Sequence, residues 1–375
     1  MEKDSPELRI SGFRSVLEKK KMAIAIVSDP LSVRYLTGFK TQNPGSASFL
    51  VVLISGESYL IVGESEREFV KSIPVEVLTF KDYDLNKRIV VNPESMTFIL
   101  ASSLKKIEME TRVVPKKIGI EAWHLPQVYL SALRKTFREI RVFSISADLL
   151  SMRETKGKDE IVFAQEASRR LDFAYSVAKT CCVPSQREIE IYSYLNQIFS
   201  NKYGYFAHAT GGYASGERTL KMGGPPTSRK LQKGDTVILD LQTDVNGYYS
   251  DTCRTFFVGD FASSQRKTFE TLLSAKNAAE DLLRPGIKCK EIYRAVTTEL
   301  VKAGYKPLPH HAGHGVGLQI QEPPFLIPGS DEVLKEGMIC ALEPGIYSAK
   351  TGGMRIEDNY LIAKAGFKRL SRFPI

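Results

Sequence analysis

Five residues that can bind a metal through oxygen or nitrogen lie in separate short motifs of the second half of the chain. They are Asp240, Asp251, His314, Glu343 and Glu357. Carboxylates placed inside apolar segments carry a desolvation cost unless a cation neutralises them. Their recurrence in several such segments predicts a metalloenzyme.

The first two of these residues belong to a segment with the pattern of a β-hairpin. Residues 236–245 alternate apolar and polar side chains, as a half-buried strand does, and residues 248–258 form a second strand-like run. Between them, Asn246-Gly247 is the preferred pair for a two-residue type I′ turn. The sequence therefore predicts a tight antiparallel hairpin.

The register of this hairpin follows from the turn. Pairing the residues on either side of the turn places Asp240 opposite Cys253 and Asp251 opposite Gln242. Asp240 and Asp251 are then diagonal neighbours on one face, about 7–8 Å apart at the backbone, which allows two carboxylates to bind one ion or bridge two. The hairpin alone leaves open the alternative that both aspartates are solvated on an outer face.

The other three residues make that alternative weaker. Glu343 follows the apolar run 338–342, and Glu357 lies in the strand-like segment 354–362. A glutamate in an apolar strand is uncommon without a partner. His314 is flanked by glycines, which let the backbone approach a site closely. A lone histidine is more often structural, but this one accompanies four carboxylates.

The order of these motifs resembles a known enzyme family. Two aspartates separated as here, then GHGVG, LEPG and RIED, are similar to the pita-bread metallopeptidases of peptidase family M24, which include prolidase, aminopeptidase P and methionine aminopeptidase. The stretch RYLTGF at 34–39 resembles the amino-terminal domain of prolidase, aminopeptidase P and creatinase. The resemblance implies an α+β fold, with a creatinase-like α/β domain at 1–152 and a pita-bread catalytic domain at 153–375.

The resemblance also implies a site with two divalent metal ions. Asp240 would chelate one ion, His314 and Glu343 the other, and Asp251 and Glu357 would bridge them. The charges of four carboxylates and a neutral histidine balance two such ions. Oxygen and nitrogen ligands suit manganese or cobalt, then zinc or iron. The implied reaction is hydrolysis of the amide bond before proline by a hydroxide that bridges the two metals.

Further roles are implied for residues around the metals. Glu343 would relay a proton to the leaving amine, and His310 and Gln321 would also be catalytic. Arg355 and His208 would bind substrate, although an ordinary structural role for His208 stays open. The implied substrate is a peptide, handled by a homodimer in which the amino-terminal domain of one subunit packs on the neighbouring catalytic domain.

This chain departs from the family pattern at two positions. Gln321 stands where the related peptidases usually carry a histidine, and Gly223 stands at the position of a second one. Glutamine can donate a hydrogen bond but cannot carry charge or shuttle a proton. Two alternatives therefore stay open: a metal-dependent hydrolase or lyase of the same fold that acts on a small molecule, and a non-catalytic binding protein.

Length and composition agree with a two-domain enzyme. The chain has 375 residues, more than a single hydrophobic core usually organises. The polar run 151–160 is the expected boundary between the two domains. Before it, strands are predicted at 22–27, 48–54 and 58–62 and a helix at 127–138; after it, a helix is predicted at 159–179.

Cysteine usage and charge bear on the cellular location of the protein and on the classes of partner it can bind. The five cysteines lack zinc spacing and a disulfide framework, and no signal sequence or membrane span is recognisable, so the cytoplasm is predicted. The net charge of +9 comes with scattered lysines and no nucleic-acid motif, so these side chains are interpreted as solvated faces. Neither nucleic acid nor a membrane is expected as a partner.

Overall fold

The computed structural model describes residues 5–42, 47–70, 73–83, 93–114, 116–204 and 207–375. The chain divides into two compact units, Met1–Arg153 and Glu154–Ile375. Among the described residues, every helix is too short or too polar to cross a lipid bilayer.

The first unit is a mixed sheet with helices. Its helices are Pro6–Lys19 (α1), Pro30–Thr37 (α2), Pro93–Thr111 (α3), Gln127–Thr136 (α4) and Ser146–Glu154 (α5). Its strands are Ile24–Val27 (β1), Phe49–Leu53 (β2), Ser58–Gly63 (β3), Glu76–Phe80 (β4), Lys117–Ile120 (β5) and Arg141–Ser144 (β6). The described strands run in the order β4-β3-β2-β1-β5-β6, with β1 antiparallel to β2 and parallel to β5. The α/β character predicted for this region is confirmed.

The segment that resembles the creatinase-type domain forms α2. The Asp29 carboxylate accepts the backbone N–H of Leu31 at 3.1 Å and caps the helix start. Gly38 ends the helix with a φ of 78°, a conformation that glycine adopts without a steric penalty. Tyr35 and Leu36 are fully buried, so the motif contributes to the core of the unit.

The second unit carries all of the predicted site residues. Its helices are Lys158–Cys181 (α6), Glu188–Tyr203 (α7), Ser263–Glu280 (α8) and Cys289–Lys302 (α9). Its strands are Thr210–Ser215 (β7), Thr236–Val245 (β8), Tyr248–Phe257 (β9), Gly313–Gly315 (β10), Glu322–Phe325 (β11), Ile339–Leu342 (β12), Gly345–Ser348 (β13), Gly352–Arg355 (β14), Asp358–Ala363 (β15) and Gly366–Arg369 (β16). They form sheets in the orders β7-β8-β9, β11-β10-β12-β15-β16 and β13-β14.

The predicted hairpin and its register are confirmed. Strands β8 and β9 pair antiparallel with Asp240 opposite Cys253 and Gln242 opposite Asp251. Asn246 and Gly247 have φ values of 48° and 75°, as a type I′ turn requires. Helix α6 packs across the hairpin and shares a buried apolar cluster with it.

The segment predicted as one strand at 354–362 is instead two strands. β14 pairs with β13, whereas β15 pairs with β12. Between them the chain crosses to β9, where Glu357 and Cys253 exchange backbone hydrogen bonds of 3.0 and 3.2 Å. This crossing places Glu357 beside the hairpin that carries the two aspartates. The apolar pattern of the segment did not reveal it, because the residues on both sides of the crossing are buried.

Candidate active site

The five predicted metal ligands converge from different elements of the second unit. Asp240 lies in β8, Asp251 in β9 and His314 in β10, while Glu343 directly follows β12 and Glu357 lies between β14 and β15. The four carboxylates line one cavity of about 260 Å³, and His314 is fully buried against them.

The imidazole of His314 organises this cluster. Its Nε2 lies 3.6 Å from Asp251 Oδ2, 3.5 Å from Glu343 Oε1 and 3.7 Å from Glu357 Oε1. Its Nδ1 lies 3.0 Å from the carbonyl oxygen of Gly315. A carbonyl only accepts hydrogen bonds, so in the neutral ring Nδ1 carries the proton and the lone pair of Nε2 faces three carboxylates.

Asp251 is held in place from two sides. The Gln242 amide donates to Asp251 Oδ1 at 2.9 Å. The side chain of Asn359 donates to the Asp251 carbonyl at 2.6 Å and accepts the Asp251 N–H at 3.0 Å. These contacts orient the carboxylate before any ligand binds, as outer-shell partners of metal ligands commonly do.

The guanidinium of Arg355 makes its contacts with other groups of the protein. Its guanidinium pairs with the Asp240 carboxylate, and Nη1 donates to the Met222 carbonyl at 2.8 Å and lies 3.4 Å from the Tyr347 hydroxyl. The residue is buried but lines the cavity. The structure thus brings Arg355 to the site as the partner of a predicted ligand, and direct substrate binding by it stays a prediction.

The remaining predicted residues differ in position. Both ring nitrogens of His310 are engaged, Nδ1 with the His311 carbonyl at 2.7 Å and Nε2 with the Tyr347 hydroxyl at 2.9 Å. Gln321 is exposed in the cavity wall. His208 is exposed and is not among the residues that line this cavity, so the structure does not bring it to the other site residues.

Sequence reasoning missed His311 and Tyr347. His311 lines the cavity, and its Nδ1 lies 2.9 Å from Glu343 Oε1. Tyr347 touches both His310 and Arg355 through its hydroxyl. The adjacent His310-His311 pair was a weak signal for His311, since two neighbouring histidines are unusual in a chain with five. For Tyr347 the sequence carried no such signal.

Comparison with family models decides the affiliation of this chain. Residues 163–364 match the model of metallopeptidase family M24, and residues 9–155 match the creatinase/prolidase N-terminal domain. The chain belongs to metallopeptidase family M24. The family prediction made from the motifs is therefore confirmed, as is the fold it implied.

Individual M24 relatives are similar over nearly their whole length. An Xaa-Pro dipeptidase of Pyrococcus furiosus is 28% identical and covers 97% of each chain. One from Pyrococcus horikoshii is 30% identical over 95% of this chain and 94% of its own. The crystal structure of the prolidase from Pyrococcus horikoshii superposes with a TM-score of 0.83 at 26% identity and covers 98% of both chains.

The cavity fits the divalent ions that membership of the M24 family implies. His314 Nε2, Asp240 Oδ1 and Glu357 Oε1 are buried without a hydrogen-bond partner among the described residues. Donor atoms on one ion with bonds of about 2.0–2.2 Å lie roughly 3–3.6 Å apart, close to the distances from His314 Nε2 to its carboxylate neighbours. A lone pair that faces carboxylates is repelled by them, and a cation between them removes the repulsion.

The pKa shifts of the carboxyl groups in this M24 site also favour a bound cation. Burial and the neighbouring carboxylates raise the pKa values of Asp251 and Glu357 well above the ordinary range. Burial also raises the pKa of Asp240, against the opposing effect of Arg355. For Glu343, burial raises the pKa, but the contacts with His311, His314 and Arg355 outweigh it, so its pKa is lowered. Without a cation, ionisation of Asp251 and Glu357 is therefore unfavourable.

Proposed function

We propose that this protein is a dinuclear metal-dependent peptidase that hydrolyses the amide bond before proline in Xaa-Pro substrates. The observation that carries the proposal is the lone pair of His314 Nε2, which faces carboxylate oxygens of Asp251, Glu343 and Glu357 at 3.5 to 3.7 Å. The similarity to proteins named Xaa-Pro dipeptidase over nearly the whole chain supports the substrate class.

The residue roles follow from the cluster. Asp240, Asp251, His314, Glu343 and Glu357 would hold two divalent ions, with manganese or cobalt as the first expectation. When bound, such ions lower the pKa of a water molecule and polarise the scissile carbonyl. The protein supplies the positions of the ligands and a buried, pre-oriented Asp251.

Glu343 is the proposed proton carrier. Its Oε2 lies 4.0 Å from His310 Nδ1 and 4.0 Å from Arg355 Nε. Its lowered pKa keeps it ionised, so it can accept a proton from the attacking water and deliver it to the leaving nitrogen of proline.

An adjoining cavity provides room for substrate. It has a volume of about 540 Å³, shares Met222 with the metal cavity and is lined by Tyr347, whose hydroxyl contacts His310 and Arg355 of that cavity. Ile346 and Pro309 contribute to its largely apolar lining. This lining suits an apolar side chain or the proline ring, because apolar walls with few polar groups are typical of such binding pockets.

A second candidate function is hydrolysis or elimination of a small non-peptide substrate. It is favoured by the cavity wall, where Gln321 contributes a neutral amide, and by Gly223, which offers no side chain next to the lining residue Met222. Manganese-loaded protein should be assayed with Xaa-Pro dipeptides, longer Xaa-Pro peptides and small amidines. Turnover of the peptides supports the first candidate, and turnover of the amidines alone supports the second.

Replacing Gln321 by histidine is expected to raise kcat/KM on an Xaa-Pro dipeptide by about 10- to 100-fold. A histidine adds a proton carrier at the cavity wall, and such groups contribute about 10²–10⁴-fold to rates. Gln319→His, just outside the cavity lining, is the matched control and should leave the rate unchanged. If Gln321→His slows a fast wild-type enzyme, then Gln321 serves a different substrate geometry and the peptidase roles are wrong.

Gly223→His is expected to add less, although the position is open. A Cβ at Gly223 would meet only an Arg355 nitrogen, at 3.9 Å, but the backbone φ of +130° strains any residue with a side chain.

We also propose a homodimer, as the resemblance of the first unit to the creatinase-type domain implies. The chain mass is 41.9 kDa, so light scattering should give about twice this value, and a monomer at assay concentration would contradict the proposal.

A further inference from the structure

We propose that His311 is a positioning residue of the metal centre, which holds the carboxylate of Glu343 in one orientation. This inference rests on the proposed function of the site, because it assigns a role toward a proposed metal ligand and proton carrier. It concerns a residue that neither the motif analysis nor the proposed ligand set includes.

The ring of His311 is fixed at the cavity wall. Its Nδ1 lies 2.9 Å from Glu343 Oε1. The ring packs edge-on against His314, with centroids 5.3 Å apart, and lies 6.5 Å from the Phe325 ring. Its Nε2 has no hydrogen-bond partner in the part of the chain that the structure describes. Nδ1 and Glu343 Oε1 both lack an aligned hydrogen-bond partner among the described residues, so their 2.9 Å approach is a close electrostatic contact rather than an aligned hydrogen bond.

This contact gives the two carboxylate oxygens of Glu343 different roles. Oε1 faces His314 Nε2 at 3.5 Å as well as His311 Nδ1. A carboxylate oxygen has two lone pairs, so one can face the ring nitrogen of His311 while the other points toward His314 and a shared cation. Among the described residues, the ion-pair partners of Oε2 are His310 Nδ1 and Arg355 Nε, each at 4.0 Å. Oε2 is thus the oxygen left to carry a proton.

The neighbours of Glu343 cannot replace this contact. His310 already uses Nδ1 on the His311 carbonyl at 2.7 Å and Nε2 on the Tyr347 hydroxyl at 2.9 Å. Arg355 is committed to Asp240 and Met222. Without His311, the Glu343 carboxylate can rotate about its terminal torsion, which is broad for glutamate. Either oxygen can then face the metal.

The test compares three substitutions of His311 in the full-length, metal-loaded protein. Asparagine places an N–H the same number of bonds from Cβ as Nδ1 of histidine, glutamine places one at the distance of Nε2, and alanine provides none. Outer-shell partners of metal ligands typically contribute about 10- to 100-fold to activity or metal affinity. We expect His311→Ala and His311→Gln to lower kcat by this factor with KM within about twofold, and His311→Asn to recover most of the loss.

A second readout does not depend on activity. In cobalt-loaded protein, the visible absorption bands report the coordination of the ligands, so His311→Ala and His311→Gln should shift them, and His311→Asn should restore the wild-type spectrum. Since asparagine and glutamine differ by a single methylene, their comparison stays informative even if the alanine variant does not fold.

The outcomes separate the two proposals. Equal spectra and equal rates for the asparagine and glutamine variants would overturn the positioning role, whatever the wild type hydrolyses. If the spectra distinguish these variants but the wild type cleaves no Xaa-Pro peptide, the positioning role stands and the proposed function fails. If all variants lose the cobalt bands entirely, His311 is a ligand rather than a positioning residue, and the inference is wrong.

Discussion

Asp251→Asn is expected to remove metal binding and to lower Xaa-Pro hydrolysis by 10³-fold or more, on the order of the several kcal/mol that metal-ion catalysis supplies. Asp251 is one of the two predicted bridging ligands, and its carboxylate faces His314 Nε2 at 3.6 Å. An asparagine keeps the shape and the contact with Gln242 but lacks the charge that two cations require. Elemental analysis should fall from about two metals per chain to near zero.

Asp244→Asn is the matched control for this change. Asp244 lies on the facing strand β8 near the turn and accepts the Gly247 N–H at 2.7 Å, away from the cavity lining. Its replacement should leave metal content and rate unchanged. Full metal content in Asp251→Asn, with a rate within tenfold of the wild type, would show that Asp251 is not a ligand.

In metal-free protein, Asp251→Asn is expected to reduce the loss of stability that occurs as pH rises. Burial and Asp240 raise the folded-state pKa of Asp251 well above its unfolded value of about 4. A raised carboxyl pKa means that the native state binds the proton more tightly, so stability is present at acid pH and is lost as pH rises through the folded pKa. Thermal unfolding of metal-free protein at pH 5 and pH 8 should show a larger decline for wild type than for Asp251→Asn.

Arg254→Met is expected to lower the free energy of unfolding by about 3–5 kcal/mol, the usual cost of removing one partner of a buried ion pair. Arg254 is buried. Its Nη1 donates to the carbonyls of Cys253 and Glu357 at 2.9 and 2.7 Å, and its Nη2 donates to Asp358 Oδ1 and to the Phe373 carbonyl at 2.7 and 2.8 Å. Methionine fills similar space but satisfies none of these acceptors.

This loss should be measured by denaturant unfolding in the absence of metal, so that metal affinity does not contribute. Arg187→Met provides the control, because Arg187 pairs with Glu190 at the surface and is 46% exposed. Exposed pairs contribute little, so a change within about 0.5 kcal/mol is expected there. A similar small change for Arg254→Met would mean that water or a rearranged side chain replaces its hydrogen bonds. Arg254 would then not stabilise the crossing at Glu357.

Local sequence determined the hairpin and much of the secondary structure. Alternation over 236–245 and the Asn246-Gly247 turn were sufficient to predict the pairing of Asp240 with Cys253 and of Asp251 with Gln242. The reason is that a two-residue turn sets the register, and strand side chains repeat every two residues. Helix α6 was predicted within two residues at each end for a similar reason, since its periodicity is long and regular.

The position of Glu357 depended on contacts distant in sequence. Its segment, residues 354–362, is strand-like on both sides of Glu357, so the local pattern alone indicated one continuous strand. The backbone bridge to Cys253, more than 100 residues away, decides where the carboxylate lies. Motif resemblance could name the residue as a ligand but could not supply this path.

Residue types alone establish which side chains are available for metal chemistry, because they fix charge and donor atoms. The use of each side chain depends on the folded arrangement. Arg355 faces Asp240, His208 lies apart from the cavity, and His311 contacts Glu343. Each of these outcomes depends on which strands become neighbours, and such long-range pairings arise from packing of the whole unit, which no local pattern encodes.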